Sequence, residues 1–180
     1  MQIAAIAVLI LTYFRKDEKH EVLLLNGSPR KEGCTFTALS EVAKTLNHNG
    51  IDTEIFQAGN PDTDNVKAAA AKLKEADALI VGSPVYWASP SGQIIEFMDK
   101  LCSMAGKDML HKPAAAVASA RRAGTTATLD VFRNISAIMK CLLYLLTTGT
   151  WFTEILLQKL HRMKKDFRSC AHLETIWHGF

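Results

Sequence analysis

Ser28, Arg30, Lys31, Cys34, Thr35 and Thr37 lie on one short stretch, and they include the residue types that hold an oxyanion. Three hydroxyls offer hydrogen bonds, and Arg30 and Lys31 add full positive charge beside them. Val22–Leu25 is an apolar run of the kind found in a strand buried on both faces. Asn26-Gly27-Ser28-Pro29-Arg30 breaks it with turn residues, and helical periodicity opens at Cys34-Thr35. A strand feeding a polar loop that ends at a helix N-terminus brings backbone N–H groups and the positive end of the helix dipole to one point. The chemistry implied is a cradle for a phosphate. The same composition fits an ordinary strand–turn–helix connection, and the added R-K-x-G-C-T favours the cradle. The stretch is neither GxGxxG nor GxxxxGK[ST], so it is not a dinucleotide fingerprint or a Walker loop. A helix N-terminus favours a thiolate at Cys34, but a small side chain beside a tight backbone turn is the preferred reading there.

Two further stretches carry chemistry. Gly82-Ser83-Pro84-Val85-Tyr86-Trp87-Ala88-Ser89-Pro90-Ser91-Gly92 holds two aromatics among turn residues. The faces of Tyr86 and Trp87 suit a flat aromatic ring, with backbone polar groups near its edge, although such a pair also fits partial core packing. The third stretch runs from Ser119 through Arg121-Arg122-Ala123-Gly124-Thr125-Thr126.

The elements that must position these stretches alternate in type. After the first strand, Thr37 to Asn47 reads as a helix, with Leu39, Val42, Ala43 and Leu46 on one face and Asn49-Gly50 as its stop. Ile51–Phe56 reads as a second strand, Val66 to Glu75 as a helix, and Ala76–Val81 as a third strand, apolar enough to be central. A helix over Gln93 to Met104 and a fourth strand over Pro113–Ala120 follow, and another helix begins over Ala127 to about Asn134. That order predicts a parallel sheet with helices on both faces. Ligands bind such sheets beyond the carboxyl ends of the strands. The three loops all follow strands, so they are expected to meet at one edge, one end suited to a phosphate and the other to a flat ring.

Composition sets the bounds. A chain of 180 residues, 48% of them hydrophobic and 22% charged, is a single globular domain with a real core. A net charge of +3 without a basic run argues against nucleic acid. Cys34, Cys102, Cys141 and Cys170 show no CxxC spacing and read as reduced thiols of a cytoplasmic protein; the six histidines form no metal-binding pair. Ile3 to Leu11 is too short to span a bilayer and lacks the flanks of a signal peptide, so no stable membrane insertion is expected.

The loops also carry a resemblance. L-L-L-N-G-S-P-R-K-E-G-C-T, A-D-A-L-I-V-G-S-P-V-Y-W-A-S-P-S-G and K-P-A-A-A-V-A-S-A-R-R-A-G-T-T-A-T-L-D, in that order, resemble the NADPH-dependent FMN reductase family of flavodoxin-like flavoproteins over about Val22 to Val131. The resemblance implies a flavodoxin-like doubly wound sheet of order 2-1-3-4-5. It implies that Ser28, Arg30, Cys34, Thr35 and Phe36 hold the FMN phosphate. Pro84, Val85, Tyr86 and Trp87 would lie along the ribityl chain and ring, and the loop from Ser119 to Arg121 would close over the ring. Family members take hydride from NADPH or NADH onto the flavin and pass electrons to quinones, free flavins or similar small acceptors, commonly as homodimers. No side-chain acid or base is essential to that chemistry, so no catalytic side chain is assigned. A flavodoxin-type electron carrier is the rival reading, and such carriers are usually strongly acidic, unlike this chain.

Two departures from the family pattern stand out. Many relatives insert a cysteine-rich segment after the second strand; here Gly59-Asn60-Pro61-Asp62-Thr63-Asp64 holds no cysteine, so an iron–sulfur cluster is not expected. Beyond about Asn134 the expected fifth strand, Y-W-N-M-V-H-G turn and acidic last helix are missing. Codons for residues 134–180, displaced by two nucleotides with permitted third bases, encode a tail containing N-Y-W-N-M-V-H-G. We therefore expect that a frameshift near Arg133–Asn134 replaced the native C-terminus, leaving an inactive product as one outcome; a gene whose displaced frame lacks that tail refutes it. Residues 1–20 are read as an extension of a domain spanning 21–180: a translated, non-native leader, with a packed extra helix or strand and a weak membrane anchor as the other readings. Cys141–Leu146 is apolar enough to enter the fifth-strand slot, and Thr153–Lys165 has helical periodicity. Neither was matched to its neighbours, so the tail over 134–180 is expected to pack poorly.

Overall fold

A run such as Val22–Leu25, with no exposed side chain, has to lie inside a sheet covered on both faces. The computed structural model, which describes Phe14 and residues 18–143, places it there. Strand β1 (Glu21–Asn26) runs parallel to β2 (Asp52–Gln57) on one side and to β3 (Ala78–Tyr86) on the other. A two-residue strand, β4 (Ser89–Pro90), folds back antiparallel onto the end of β3. Strand β5 (Pro113–Ser119) pairs parallel with β3, and β6 (Leu142–Leu143) pairs parallel with β5. The order β2-β1-β3-β5-β6 is the expected 2-1-3-4-5 path, with the short β4 set aside. The fold is α/β and flavodoxin-like.

Helix α1 (Cys34–His48) covers one face, where Leu39, Val42 and Leu46 pack on Leu24, Ile80 and Val117. Helices α2 (Thr63–Glu75), α3 (Gly92–Ala105) and α4 (Thr125–Ile138) cover the other. There Leu73, Ile94, Phe97, Leu101 and Phe132 pack with Leu23, Leu25, Leu79 and Val81. Successive residues of β1 thus serve opposite faces, as strand geometry requires. Each fully buried large side chain contributes about 1.5–3 kcal/mol. A capping side chain contributes about 1 kcal/mol, and α1 has none. Packing, rather than capping, therefore holds α1 in place.

One expectation needs correction. Strand β3 continues past Val81 to Tyr86, because Gly82, Ser83 and Pro84 pair in register with Val117, Ala118 and Ser119. Turn-type residues were read there as a loop, yet the neighbouring strand supplies the pairing that overrides their propensity. Helix α4 crosses Asn134 and runs to Ile138, and Ile135, Met139 and Cys141 pack against the core. At the start of the tail these three side chains are only partly buried and Ile138 is 73% exposed, while the backbone of Leu142 and Leu143 takes the fifth-strand slot beside Pro113 and Ala114. The rest of Cys141–Leu146, the predicted helix over Thr153–Lys165 and most of residues 1–20 lie outside the described residues. No helix among the described residues is long and apolar enough to cross a membrane.

Candidate functional site at the carboxyl edge of the sheet

The first loop leaves β1 at Asn26 and is folded by side chains. Ser28 N donates to Asn26 Oδ1 at 3.2 Å, and Arg30 N donates to Ser28 Oγ at 3.2 Å. The Asn26 amide donates to the Lys31 carbonyl at 3.1 Å and to Gln57 Oε1 at 2.8 Å, while Gln57 Nε2 donates to the Ser28 carbonyl. The loop ends at Gly33, the N-cap of α1, which has no side chain to close the helix end, and the first turn of α1 carries no acid. The arrangement leaves the positive end of the helix without a capping side chain beside Arg30 and Lys31, whose side chains are exposed. Glu32, also exposed, is the one acidic residue between Asn26 and Cys34.

The second stretch is a hairpin. Trp87 and Ala88 both have left-handed backbones, with φ of 52° and 61°, and they turn β3 back into β4. Positive φ at both central residues matches the right-handed twist of the paired strands, but it strains any residue with a Cβ. Trp87 is fully exposed at the tip and Tyr86 is 45% exposed. The base of the hairpin is fastened to the first loop: Ser91 Oγ donates to the Gly27 carbonyl at 3.0 Å, and Gly27 N donates to the Gly82 carbonyl at 2.8 Å. Ser83 Oγ accepts from Ser91 N at 3.1 Å.

The third loop closes the group. Thr35 Oγ1, at the start of α1, and Ser119 Oγ, at the end of β5, are 2.7 Å apart and buried. Ser119 is also in register with Pro84 of β3. Farther along, Gly124 (φ 99°) lies against the hairpin so closely that a Cβ there would sit 2.5 Å from Ala88 Cα and 2.9 Å from Val85 Cγ1. All three loops thus touch one another at one edge, as the sequence implied.

Residues 20–147, well over half of the chain, match the family described as NADPH-dependent FMN reductase. The chain belongs to that family. An iron–sulfur flavoprotein of Methanocaldococcus jannaschii is 30% identical over 139 residues, which are 66% of this chain and 72% of that protein. Another, from Archaeoglobus fulgidus, is 27% identical over 96 residues, covering 44% of this chain and 48% of that one. Among solved structures, the flavoenzyme NAD(P)H:(acceptor) oxidoreductase FerB of Paracoccus denitrificans superposes with a TM-score of 0.59 at 15% identity, over 79% of this chain and 94% of that one. Membership places the chain among the flavin oxidoreductases and makes FMN the ligand against which the loop cluster is judged.

For a member of the FMN reductase family, the expected site residues fall into two groups. Ser28, Thr35, Pro84, Val85 and Ser119 form the walls where the loops meet, by the contacts above. Arg30, Tyr86, Trp87 and Arg121 stand on the same loops with exposed side chains, and Cys34 and Phe36 are half-buried in the first turn of α1. One role needs adjusting. Thr35 and Ser119 share a hydroxyl hydrogen bond, so the pair keeps one proton, not two, for another acceptor. Asn26, Gln57 and Ser91 were not singled out from the sequence. A usable signal existed for the first two, since both are polar residues at aligned strand ends, in register with each other.

The other cysteines described belong elsewhere. Burial pushes the Cys102 thiol up to about 11, with neighbouring Cys141 and Asp99 adding to the rise, and burial also raises Cys141. Both stay protonated at neutral pH and are poor nucleophiles. Among the described residues, no group of three or more His, Cys, Asp or Glu side chains is placed to hold a metal ion.

Proposed function

We propose that the three-loop crevice holds FMN, with its phosphate at the N-terminus of α1 and its ring along the β3–β4 hairpin. We propose further that the chain is an NAD(P)H-dependent reductase of a quinone, a free flavin or a similar small acceptor. The observation that supports this most is the Thr35–Ser119 hydroxyl contact at 2.7 Å, because it brings the phosphate-type loop and the loop beside the aromatic hairpin to one place.

The residues present suit FMN. An uncapped helix end with no acid in its first turn favours a dianion, and Ser28 Oγ, which accepts from Arg30 N, keeps its own proton to donate. Arg30 and Lys31 add screened attraction from solvent. At the other end, Tyr86 and Trp87 present apolar faces that gain by being covered. Bound FMN would supply the redox chemistry, accepting hydride from NADPH or NADH and passing electrons to the acceptor. The protein's part is to orient the ring and to exclude water from one side of it. A second copy of the chain covering the exposed hairpin tip would complete a homodimeric enzyme.

The test is to load the purified full chain with FMN, remove free flavin, and follow NADPH and NADH oxidation with and without a quinone. Retained flavin absorbance and quinone-dependent turnover are expected. Retained flavin without turnover would favour the electron-carrier reading, and no retained flavin would refute both.

A further inference from the structure

The amide side chains of Asn26 and Gln57 use their hydrogen-bonding groups on the first loop and on each other. Asn26 Oδ1 accepts from Ser28 N, its amide nitrogen bridges Gln57 Oε1 and the Lys31 carbonyl, and Gln57 Nε2 holds the Ser28 carbonyl. Asn26 is 1% exposed, and the two residues face each other at the last register position of β1 and β2. Two of the loop's carbonyls are therefore turned inward. In a planar trans peptide the N–H points opposite to the C=O. Anchoring the Lys31 carbonyl on Asn26 thus aims Glu32 N–H away from the anchor, and it keeps a carbonyl dipole from facing a bound anion. Gly59 completes the arrangement: a Cβ there would overlap the Ser28 carbonyl and approach Gln57 Nε2 to 2.8 Å.

We infer that the Asn26–Gln57 pair sets selectivity for the phosphorylated flavin over riboflavin, by fixing which backbone groups of the loop face the phosphate. Both residues are positioning residues, with no direct contact to the ligand required. The inference rests on the FMN reading above.

The experiment compares FMN and riboflavin dissociation constants, by flavin fluorescence titration, for the wild-type full chain, Gln57→Leu and Gln57→Glu. Thermal melts of the three proteins run in parallel. Leucine is apolar and removes both hydrogen bonds; glutamate keeps the acceptor for Asn26, loses the donor to Ser28 and adds a negative charge. Each variant is expected to bind FMN about tenfold more weakly, with riboflavin affinity changed by less than about twofold, so the FMN-to-riboflavin preference collapses. Equal weakening of both flavins would show a merely structural role and overturn the inference, as would an unchanged preference. If Gln57→Leu fails to fold, the neutral Gln57→Met, which also removes both hydrogen bonds, decides by the same ratio. Wild-type protein that binds neither flavin overturns the functional reading itself. Wild-type that prefers FMN, with variants that keep the preference, overturns only the role of the pair.

Discussion

At the end of the loop cluster proposed for the phosphate, Ser28 and Thr35 are buried and the loop is held by amides and hydroxyls from β1, β2 and β5. At the ring end, the hairpin tip stands in solvent with Trp87 fully exposed and two consecutive left-handed residues. The contrast matches what each end is proposed to hold. Hydrogen-bond donors for an anion are most effective when already aimed before it arrives, because reorienting them later consumes binding energy. A flat ring needs covering surface instead, and an exposed aromatic supplies it without fixed polar geometry. The first end is preorganised, and the second is strained and open.

The largest break in this contrast is expected from Gly59→Ala. The new methyl would displace the Ser28 carbonyl and the Gln57 amide together, with overpacking of about 1–3 kcal/mol. FMN titration should show affinity reduced by about a hundredfold or more, while riboflavin binding, which lacks the phosphate, suffers far less. At the other end, Gly124→Ala forces a Cβ against Ala88 and Val85 at a positive φ, and about 1–3 kcal/mol of destabilisation is expected in urea melts. Because the hairpin shifts rather than the phosphate loop, FMN and riboflavin should weaken to similar extents. A change in their ratio would mean that the two ends are not separable.

Smaller effects sharpen the comparison. Ala88→Gly removes the left-handed strain at φ 61°, so the apoprotein should gain about 0.5–1 kcal/mol, read as a melting point raised by a few degrees. The smallest effect concerns Cys102, remote from both ends. Its folded value of about 11 lies above the unfolded value of about 8.5, so its contribution to stability is complete below the unfolded value and lost as pH rises through about 11. Urea melts from pH 8 to 11 should show a decline that Cys102→Ala reduces, with no change in the FMN-to-riboflavin preference at pH 8.

Strand order was legible because Val22–Leu25 and Ala78–Val81 are apolar enough to be central, and because alternation of strand and helix leaves few topologies open. The convergence of the loops was legible for the same reason. The length of β3 was not, since Gly82-Ser83-Pro84 reads as a turn until β5 lies beside it. The partial burial of Ile135, Met139 and Cys141 follows from apolar side chains at helical spacing, which continue α4 past the end of the family resemblance. The role of Gln57 was less legible: a polar residue at a strand end is a visible signal, but its partner Asn26 is fixed only by the register of two strands. The relatives named as iron–sulfur flavoproteins raise a related contrast: here only Ala58–Asp62 separates β2 from α2, and it carries no cysteine.

The most direct measurement is a crystal structure of the full chain loaded with FMN. The phosphate is expected within hydrogen-bonding distance of Ser28 and the first turn of α1, with the ring against Tyr86, Trp87 and the loop at Arg121. A cleft of about 370 Å³ opens at the opposite edge of the sheet between His20, Asp77, His111 and Lys112. FMN found there, or with its phosphate on the hairpin and its ring on the first loop, would contradict the assignment of the two ends.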